Sequence, residues 1–147
     1  MTTIAYRDGV MASDSLVTAG TLRCGSMRKI TRNSVGWIGG GAGPMETIVR
    51  LLAWIDAGAE GEPPEMKEAD AIIVSPDGVV HFWTGAGPLT PVQGSFFAVG
   101  SGERVAVGAM AAGADAIQAV RLAIEYDTGT GGDIAFLMND KAQAGHR

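Results

Sequence analysis

The chain has little of the two residue types on which disulfide scaffolds and many metal sites depend. Among its 147 residues there are one cysteine, Cys24, and two histidines, His81 and His146. A single cysteine excludes an internal disulfide framework and a cysteine-based zinc site. Two histidines give poor support to a histidine-rich metal centre or to a Ser-His-Asp triad. These counts therefore favour chemistry that depends on neither cysteine nor histidine.

Long apolar runs and an excess of basic residues are also missing. No apolar stretch reaches the roughly 18 to 20 residues that span a bilayer, and the first residues lack the charged and apolar regions of a signal peptide. The formal net charge is −5, whereas nucleic-acid-binding domains usually present a basic face. We therefore expect a cytoplasmic protein that binds neither membranes nor nucleic acid.

The chain does contain enough apolar sequence for one core. Hydrophobic residues make up 46% of it, charged residues make up 18%, and 22 residues are glycine. This composition is typical of a globular domain with many tight turns. Because no internal repeat or low-complexity tail is present, residues 1–147 are predicted to form a single domain.

Strand patterns dominate the first forty residues. Asp8-Gly9 separates two short apolar segments, 3–7 and 10–14, and predicts a β-hairpin. A third and a fourth strand are predicted at 27–32 and 35–39. A run of glycines follows the fourth predicted strand.

The rest of the chain mixes helices and strands. Apolar residues at helical spacing predict a helix over 45–57, and the Gly- and Pro-rich segment 58–68 is predicted to be a connector. The other predicted elements are a hairpin over 71–84, a strand at 96–100, helices at 101–112 and 114–127, and a strand at 133–138. This order favours an α+β fold with two sheets between helical layers.

The opening Met1-Thr2 pair offers a route to catalysis without histidine. A threonine after the initiator methionine is small enough for the methionine to be removed, which would make Thr2 the first residue. Its hydroxyl would then lie beside its own α-amine, whose ordinary pKa is about 8, so the amine can accept the hydroxyl proton near neutral pH. Many ordinary proteins begin with Met-Thr, so the pair is informative only together with other residues.

Six later positions supply that context: Asp14, Lys29, Gly39, Ser101, Asp127 and Thr130. Asp14 ends the second predicted strand, Lys29 lies in the third, and Gly39 starts the glycine run. Ser101 lies between a strand and a helix. Asp127 and Thr130 belong to the sequence Asp-Thr-Gly-Thr-Gly-Gly at the end of the last helix. In this order and spacing the chain resembles the HslV peptidase and the proteasome β-subunits, the threonine proteases of the N-terminal nucleophile class, over residues 2–140.

The resemblance implies a role for each of these residues. Thr2 matches the nucleophile, with its α-amine as general base. Lys29 matches the active-site lysine, whose ammonium lowers the pKa of the hydroxyl and of the amine, and Asp14 matches the acid that pairs with that lysine. Gly39 matches the glycine whose backbone N–H stabilises the oxyanion, with the adjacent Gly40 as the alternative.

The remaining three positions match groups around the N-terminus. Ser101 matches a serine that contacts the N-terminal amine, and Asp127 and Thr130 match an Asp-x-x-Ser motif in which threonine replaces serine. Taken singly, these residues keep structural alternatives. The sequence is equally consistent with Lys29 as a surface lysine on a strand and Asp14 as a turn residue. It is also consistent with Ser101 as a helix cap and Asp127 as the end of a helix.

The resemblance also implies a fold, an assembly and partners. The fold would be a four-layer αββα sandwich of the N-terminal nucleophile hydrolase type with one helix missing or shortened, since residues 58–68 cannot form a good helix. A peptide or unfolded protein would be the substrate, bound as an extended strand along a sheet edge inside a homo-oligomeric ring. An AAA+ ATPase unfoldase is the partner such rings usually need. No cofactor is expected, and the oxygens of residues 127–133 are too few to predict a metal site.

Two other functions stay open at this stage. A chain that retains Met1 has an amide nitrogen at Thr2 and no base, which favours a catalytically inactive ring or scaffold protein. A nucleotide-binding module built on Gly39–Gly43 is the weaker alternative. That run lacks the Gly-Lys-Ser/Thr ending of a P-loop, and Pro44 takes the place of the last glycine in Gly-x-Gly-x-x-Gly.

Overall fold

The computed structural model describes residues 1–84 and 88–139, and within these ranges the fold is mixed α/β with three helices and antiparallel sheets. The strands are β1 (Thr3–Arg7), β2 (Val10–Ser13), β3 (Leu16–Ala19), β4 (Leu22–Ser26), β5 (Ile30–Arg32), β6 (Ile38–Ala42), β7 (Asp70–Val74), β8 (Val80–Thr84), β9 (Thr90–Val92), β10 (Phe96–Gly100) and β11 (Ala135–Met138). The helices are α1 (Met45–Asp56), α2 (Glu103–Ala111) and α3 (Ala116–Tyr126).

The strands form two large sheets and one ribbon. The four-stranded sheet has the order β10-β1-β2-β11, the five-stranded sheet runs from β5 to β9 in sequence order, and β3 pairs only with β4. The predicted hairpin at Asp8-Gly9 is present, and both turn residues have positive φ, 52° and 80°, as the tightest hairpin turns require. Its register pairs Ile4 with Ser13, so the start of β1 lies beside the end of β2.

Three apolar clusters hold these elements together. The first lies between the two large sheets and includes Ile4 and Ile72. The second packs α1 on the five-stranded sheet through Leu51 and Ile73. The third packs α2 and α3 on the four-stranded sheet through small side chains such as Ala119. The packing order is therefore α2 and α3, the four-stranded sheet, the five-stranded sheet and α1.

The prediction for residues 16–32 is wrong in two respects. No element was expected over 16–26, yet these residues form the β3–β4 ribbon around the turn Gly20-Thr21. Every residue of β4 is exposed, so no buried face gives this strand an alternating apolar pattern. The strand expected over 27–32 shortens to β5, and Lys29 precedes it rather than lying inside it.

The glycine run is also placed differently from the prediction. Gly39, Gly40 and Gly41 lie inside β6, not after a strand. A Cβ on Gly39 would lie 2.9 Å from Ile55 Cδ1 of α1, whereas one on Gly40 would lie 2.6 Å from Ile30 Cγ2 of β5. The absence of side chains lets α1 and the neighbouring strands approach the β6 backbone. Tertiary packing thus overrides the usual weakness of glycine in strands.

The connector between α1 and β7 matches its prediction. Residues 57–69 contain turns and bends but no helix. None of the helices in the described part of the chain is long and apolar enough to cross a membrane.

Two Gly→Ala substitutions test the close packing of β6. Gly40→Ala should lower the free energy of unfolding by about 1–3 kcal/mol or more, because the added methyl would overlap the Lys29 carbonyl oxygen and Ile30. Gly108→Ala in α2 should raise it by about 0.5–1 kcal/mol, because nothing lies within 4 Å of that Cβ position and alanine favours helix. Denaturant unfolding measures both changes. Equal shifts in the two proteins would contradict the close packing.

Candidate active site

Lys29 and Asp14 form a buried ion pair at one end of the two large sheets. Asp14 directly follows β2 and Lys29 directly precedes β5. Lys29 Nζ lies 3.0 Å from Asp14 Oδ1, and the two side chains are 4% and 0% exposed. A buried cation without a partner would be strongly destabilising. The pairing therefore excludes the reading of Lys29 as a surface strand lysine.

Backbone donors hold both carboxylate oxygens of Asp14. Thr3 N donates to Asp14 Oδ1 at 3.1 Å, and Gly131 N donates to Asp14 Oδ2 at 3.0 Å. The carboxylate thus joins the start of β1, the loop after α3 and the segment before β5. Asp14 is the centre of a buried network rather than a turn residue. Sequence reasoning missed Thr3 and Gly131, because backbone N–H groups are not marked by residue type.

Burial and charge act on Lys29 in opposite directions. Desolvation disfavours the ammonium and lowers the pKa of Lys29 below its ordinary value of 10.5, while the charge and hydrogen bond of Asp14 raise it. The net direction is downward. Burial therefore disfavours the ammonium of Lys29, and the fixed carboxylate of Asp14 partly offsets that cost.

The second hydrogen bond of Lys29 reaches the start of the chain. Its Nζ lies 3.0 Å from the carbonyl oxygen of Met1, which belongs to the peptide group joining Met1 to Thr2. Thr2 is buried, and Ser101 Oγ lies 3.4 Å from its carbonyl oxygen. A Cβ on Gly100 would overlap that oxygen, so only glycine permits this approach. The structure therefore brings Thr2, Lys29 and Ser101 together.

A hydroxyl network links Ser101 to the loop after α3. Ser101 Oγ donates to Asp127 Oδ2 at 2.6 Å, and Thr130 Oγ1 donates to the same carboxylate. Thr130 Oγ1 also lies 2.7 Å from Thr3 Oγ1. Gly102, not Ser101, is the N-cap of α2, so the helix-cap reading of Ser101 is wrong. Asp127 is the C-cap residue of α3, and its side chain reaches β1 only through Thr130, whose hydroxyl contacts Thr3.

Gly39 does not lie at this site, so its predicted location is wrong. It pairs with Thr31 of β5 and Ile73 of β7 in the middle of the five-stranded sheet. Four residues of extended strand, about 13 Å, separate it from Gly43. The adjacent Gly40 is likewise enclosed, against Ile30.

Gly43 occupies the place where Gly39 was expected. It lines a small recess together with Met1, Thr2 and Lys29. Its φ is 149°, a conformation that favours glycine, and a Cβ there would lie 2.7 Å from the Ala69 Cβ. The sequence signal was its position at the end of the glycine run, directly before Pro44, the N-cap residue of α1.

The recess has an apolar rim supplied by α1 and the β3–β4 ribbon. Its lining includes Leu16, Val17, Met27, Met45 and Ile48. With Met1 in place, the remaining space is about 60 Å³. The site therefore combines one buried cation with apolar walls.

Within the described residues, the histidines do not belong to this recess. His81 is half-buried on β8, with its ring centroid 5.9 Å from that of Trp37, and His146 lies outside the described residues. Among residues 1–84 and 88–139, no group of three or more His, Cys, Asp or Glu side chains is arranged to hold a metal ion.

Comparison with known proteins gives a likeness of fold. A scan against protein-family models found no match, and a search of curated proteins found none. A search of solved structures found a bacterial protein with a similar mixed α/β fold. It is BPH of Thiobacillus denitrificans, whose structure in complex with epoxomicin is 22% identical, with a TM-score of 0.70 over 92% of this chain and 96% of that one. A second BPH structure is 20% identical, with a TM-score of 0.68 over 92% and 95% of the two chains.

The buried lysine predicts a pH dependence of stability. Because the pKa of Lys29 is lower in the folded protein than in the unfolded chain, the unfolded chain binds more protons between the folded pKa and 10.5. The contribution of Lys29 to the free energy of unfolding should therefore rise with pH through that window. The difference in unfolding free energy between wild type and Lys29→Met, measured by denaturant titration at each pH, should show this rise. Tyr6, whose pKa is raised, is present in both proteins, so its contribution to the free energy of unfolding cancels in this difference.

Lys67→Met provides the matched control, because Lys67 has a side chain that is 77% exposed. Its difference from wild type should stay nearly constant over the same pH range. A flat Lys29→Met difference would contradict a lowered pKa.

Proposed function

We propose that this chain is the subunit of a threonine-type endopeptidase of the N-terminal nucleophile class, which cleaves peptide bonds through Thr2 once Met1 is removed. One observation carries the proposal. The buried ammonium of Lys29, fixed by Asp14, points at the peptide group before Thr2. It therefore lies where removal of Met1 would create the new α-amine.

The chemistry follows from placing a hydroxyl, an amine and a cation together. The Thr2 hydroxyl gives its proton to the Thr2 α-amine while its oxygen attacks the substrate carbonyl carbon. The ammonium of Lys29 lowers the pKa of both groups, which keeps the amine unprotonated and able to accept that proton. Collapse of the tetrahedral intermediate breaks the C–N bond, and the α-amine returns the proton to the leaving amine. Water then hydrolyses the ester on Thr2.

Gly43 takes the oxyanion role that the sequence assigned to Gly39. It lines the recess with Thr2 and Lys29, whereas Gly39 is paired inside the sheet. A backbone N–H beside the recess would stabilise the negative oxygen of the intermediate, and a residue without a side chain leaves room for the substrate backbone.

Ser101, Asp127 and Thr130 are positioning residues in this proposal. Their network fixes the start of β1 through Thr3 and holds Ser101 Oγ beside Thr2. After removal of Met1, the Ser101 hydroxyl would be a partner for the free α-amine. The threonine at position 130 preserves the hydroxyl that this role requires.

The packing order supports the corresponding fold assignment. The layers are α2 with α3, the two antiparallel sheets, and α1. This is the stacking expected of a four-layer αββα sandwich of the N-terminal nucleophile hydrolase type, except that residues 57–69 form no helix. The likeness to BPH over 92% of the chain agrees with this stacking.

The proposed substrate is a peptide or an unfolded protein with an apolar residue before the cleaved bond, because methionine and aliphatic side chains line the recess. The substrate would pair with a sheet edge as an extended strand. A homo-oligomer would enclose the site, and an AAA+ unfoldase would deliver folded proteins to it.

A catalytically inactive ring or scaffold protein is the second candidate. When Met1 is present, its ammonium donates to Thr18 Oγ1 at 3.3 Å, and its carbonyl oxygen accepts a hydrogen bond from Lys29 Nζ. The Thr2 nitrogen is then an amide without basicity. A chain that keeps Met1 would hold this site closed.

Peptide hydrolysis by substituted proteins tests the peptidase proposal. Thr2→Ala should lower kcat/KM at least about 10³-fold, because it removes the nucleophile and leaves only binding and oxyanion stabilisation. Thr2→Ser, which keeps both a hydroxyl and a removable Met1, should retain measurable activity. Fluorogenic peptides with an apolar residue before the cleaved bond provide the assay. Equal activity of wild type and Thr2→Ala would remove Thr2 from the mechanism.

A further inference from the structure

The β3–β4 ribbon stands apart from the packed layers. Neither strand pairs with the two large sheets, and all five residues of β4 are exposed. Leu22 beside its turn is 66% exposed, and Cβ atoms placed on Gly20 and Gly25 would meet nothing within 4 Å. An exposed strand with an unpaired edge and an apolar residue at its tip is a site for association with another chain.

The ribbon carries positive charge and no negative charge. No aspartate or glutamate occurs over residues 15–45. Two of the nearby cations are occupied, since Lys29 is paired with Asp14 and Arg28 with Asp56. Arg23 lies on the exposed strand and forms no ion pair with any described residue. Its guanidinium lies near Gly131.

A groove with the opposite character lies beside the first turn of α1. Its volume is about 1400 Å³, and its apolar lining includes Pro44, Trp83 and Leu89. Glu62, Glu65 and Glu68 are exposed along it, opposed only by Lys67 within the segment 62–68. The groove therefore combines apolar walls with a net negative rim.

We propose that the β3–β4 ribbon of one copy docks in this groove of a second copy, with Leu22 against the apolar walls and Arg23 against the glutamates. The proposal rests on the homo-oligomer of the proposed function and names the two surfaces that form it. The charges of the two surfaces are opposite, and the exposed Leu22 of the ribbon has an apolar counterpart in the groove walls. Because ribbon and groove are different surfaces of one chain, the contact is head-to-tail and closes into a ring when repeated with the right rotation.

This contact would connect neighbouring active sites. Val17 and Thr18 of β3, which lie opposite Gly25 and Arg23 of β4, line the recess of their own copy, and the groove begins at Pro44, next to Gly43 of the other recess. The Glu68 carbonyl oxygen would lie 2.8 Å from a Cβ on Gly43, so the backbone of the segment that carries the glutamates adjoins Gly43 of the recess. Each docked ribbon would thus wall the recess of its neighbour.

A charge exchange between the two surfaces tests the proposal. The variants are Arg23→Glu, the double variant Glu62→Lys/Glu65→Lys, and all three substitutions in one chain. Sedimentation velocity at several protein concentrations would give the mass in solution, and circular dichroism would report folding. Arg104→Glu on α2 is the matched control, since Arg104 is exposed on the opposite layer.

Wild type and Arg104→Glu should sediment as a multiple of the 15.1 kDa chain. Arg23→Glu and the glutamate variant should each associate at least about 10-fold more weakly, and the combined variant should regain association because the charges are complementary again. Each of three results would overturn the proposal: a monomeric wild type, half-variants that assemble like wild type, or a combined variant that stays dissociated.

Two further readouts separate this proposal from others. If the glutamate variant keeps its mass but loses hydrolysis of basic peptides, the groove binds substrate and the docking proposal is wrong. If the charge exchange behaves as expected while no peptide is hydrolysed, the docking proposal stands and the peptidase proposal falls.

Discussion

The ion pair between Lys29 and Asp14 is the interaction on which the rest of the site depends. Both side chains are almost completely removed from water, so each charge is tolerable only because the other is fixed within hydrogen-bond distance. Asp14 is held in turn by the backbone of Thr3 and Gly131, which belong to separate parts of the chain. The fold therefore has to be complete before the cation is stable beside the peptide group of Met1 and Thr2.

Close backbone packing delivers the partners of that pair to one place. The glycines of β6 let α1 and β5 approach the sheet, and Gly100 lets the start of β1 lie against Ser101. The hydroxyl network through Asp127 then ties the loop after α3 to the same point. The β3–β4 ribbon completes the recess, since Leu16 and Val17 of β3 line it while the residues of β4 are exposed.

Local signals predicted a large part of this arrangement. The Asp8-Gly9 turn and the periodic helices α1 and α3 were readable from residue types, whereas the grouping of Thr2, Asp14, Lys29 and Ser101 followed from the family resemblance. The glycine run was misplaced because its strand conformation is imposed by Ile55 and Ile30, which lie far away in the sequence. The β3–β4 ribbon was missed because an exposed strand has no alternating burial to mark it. Gly43 was missed for a related reason, since its place beside Thr2 follows from where β6 ends.

Covalent labelling by a peptide electrophile directed at an N-terminal threonine tests the central claim most directly. The intact mass of the assembled protein after incubation would be measured for wild type and Thr2→Ala. The account predicts that wild-type chains lacking Met1 gain the mass of one inhibitor, and that Met1-bearing chains and Thr2→Ala gain none. Retention of Met1 on every assembled chain with no adduct, or equal labelling of Thr2→Ala, would contradict it.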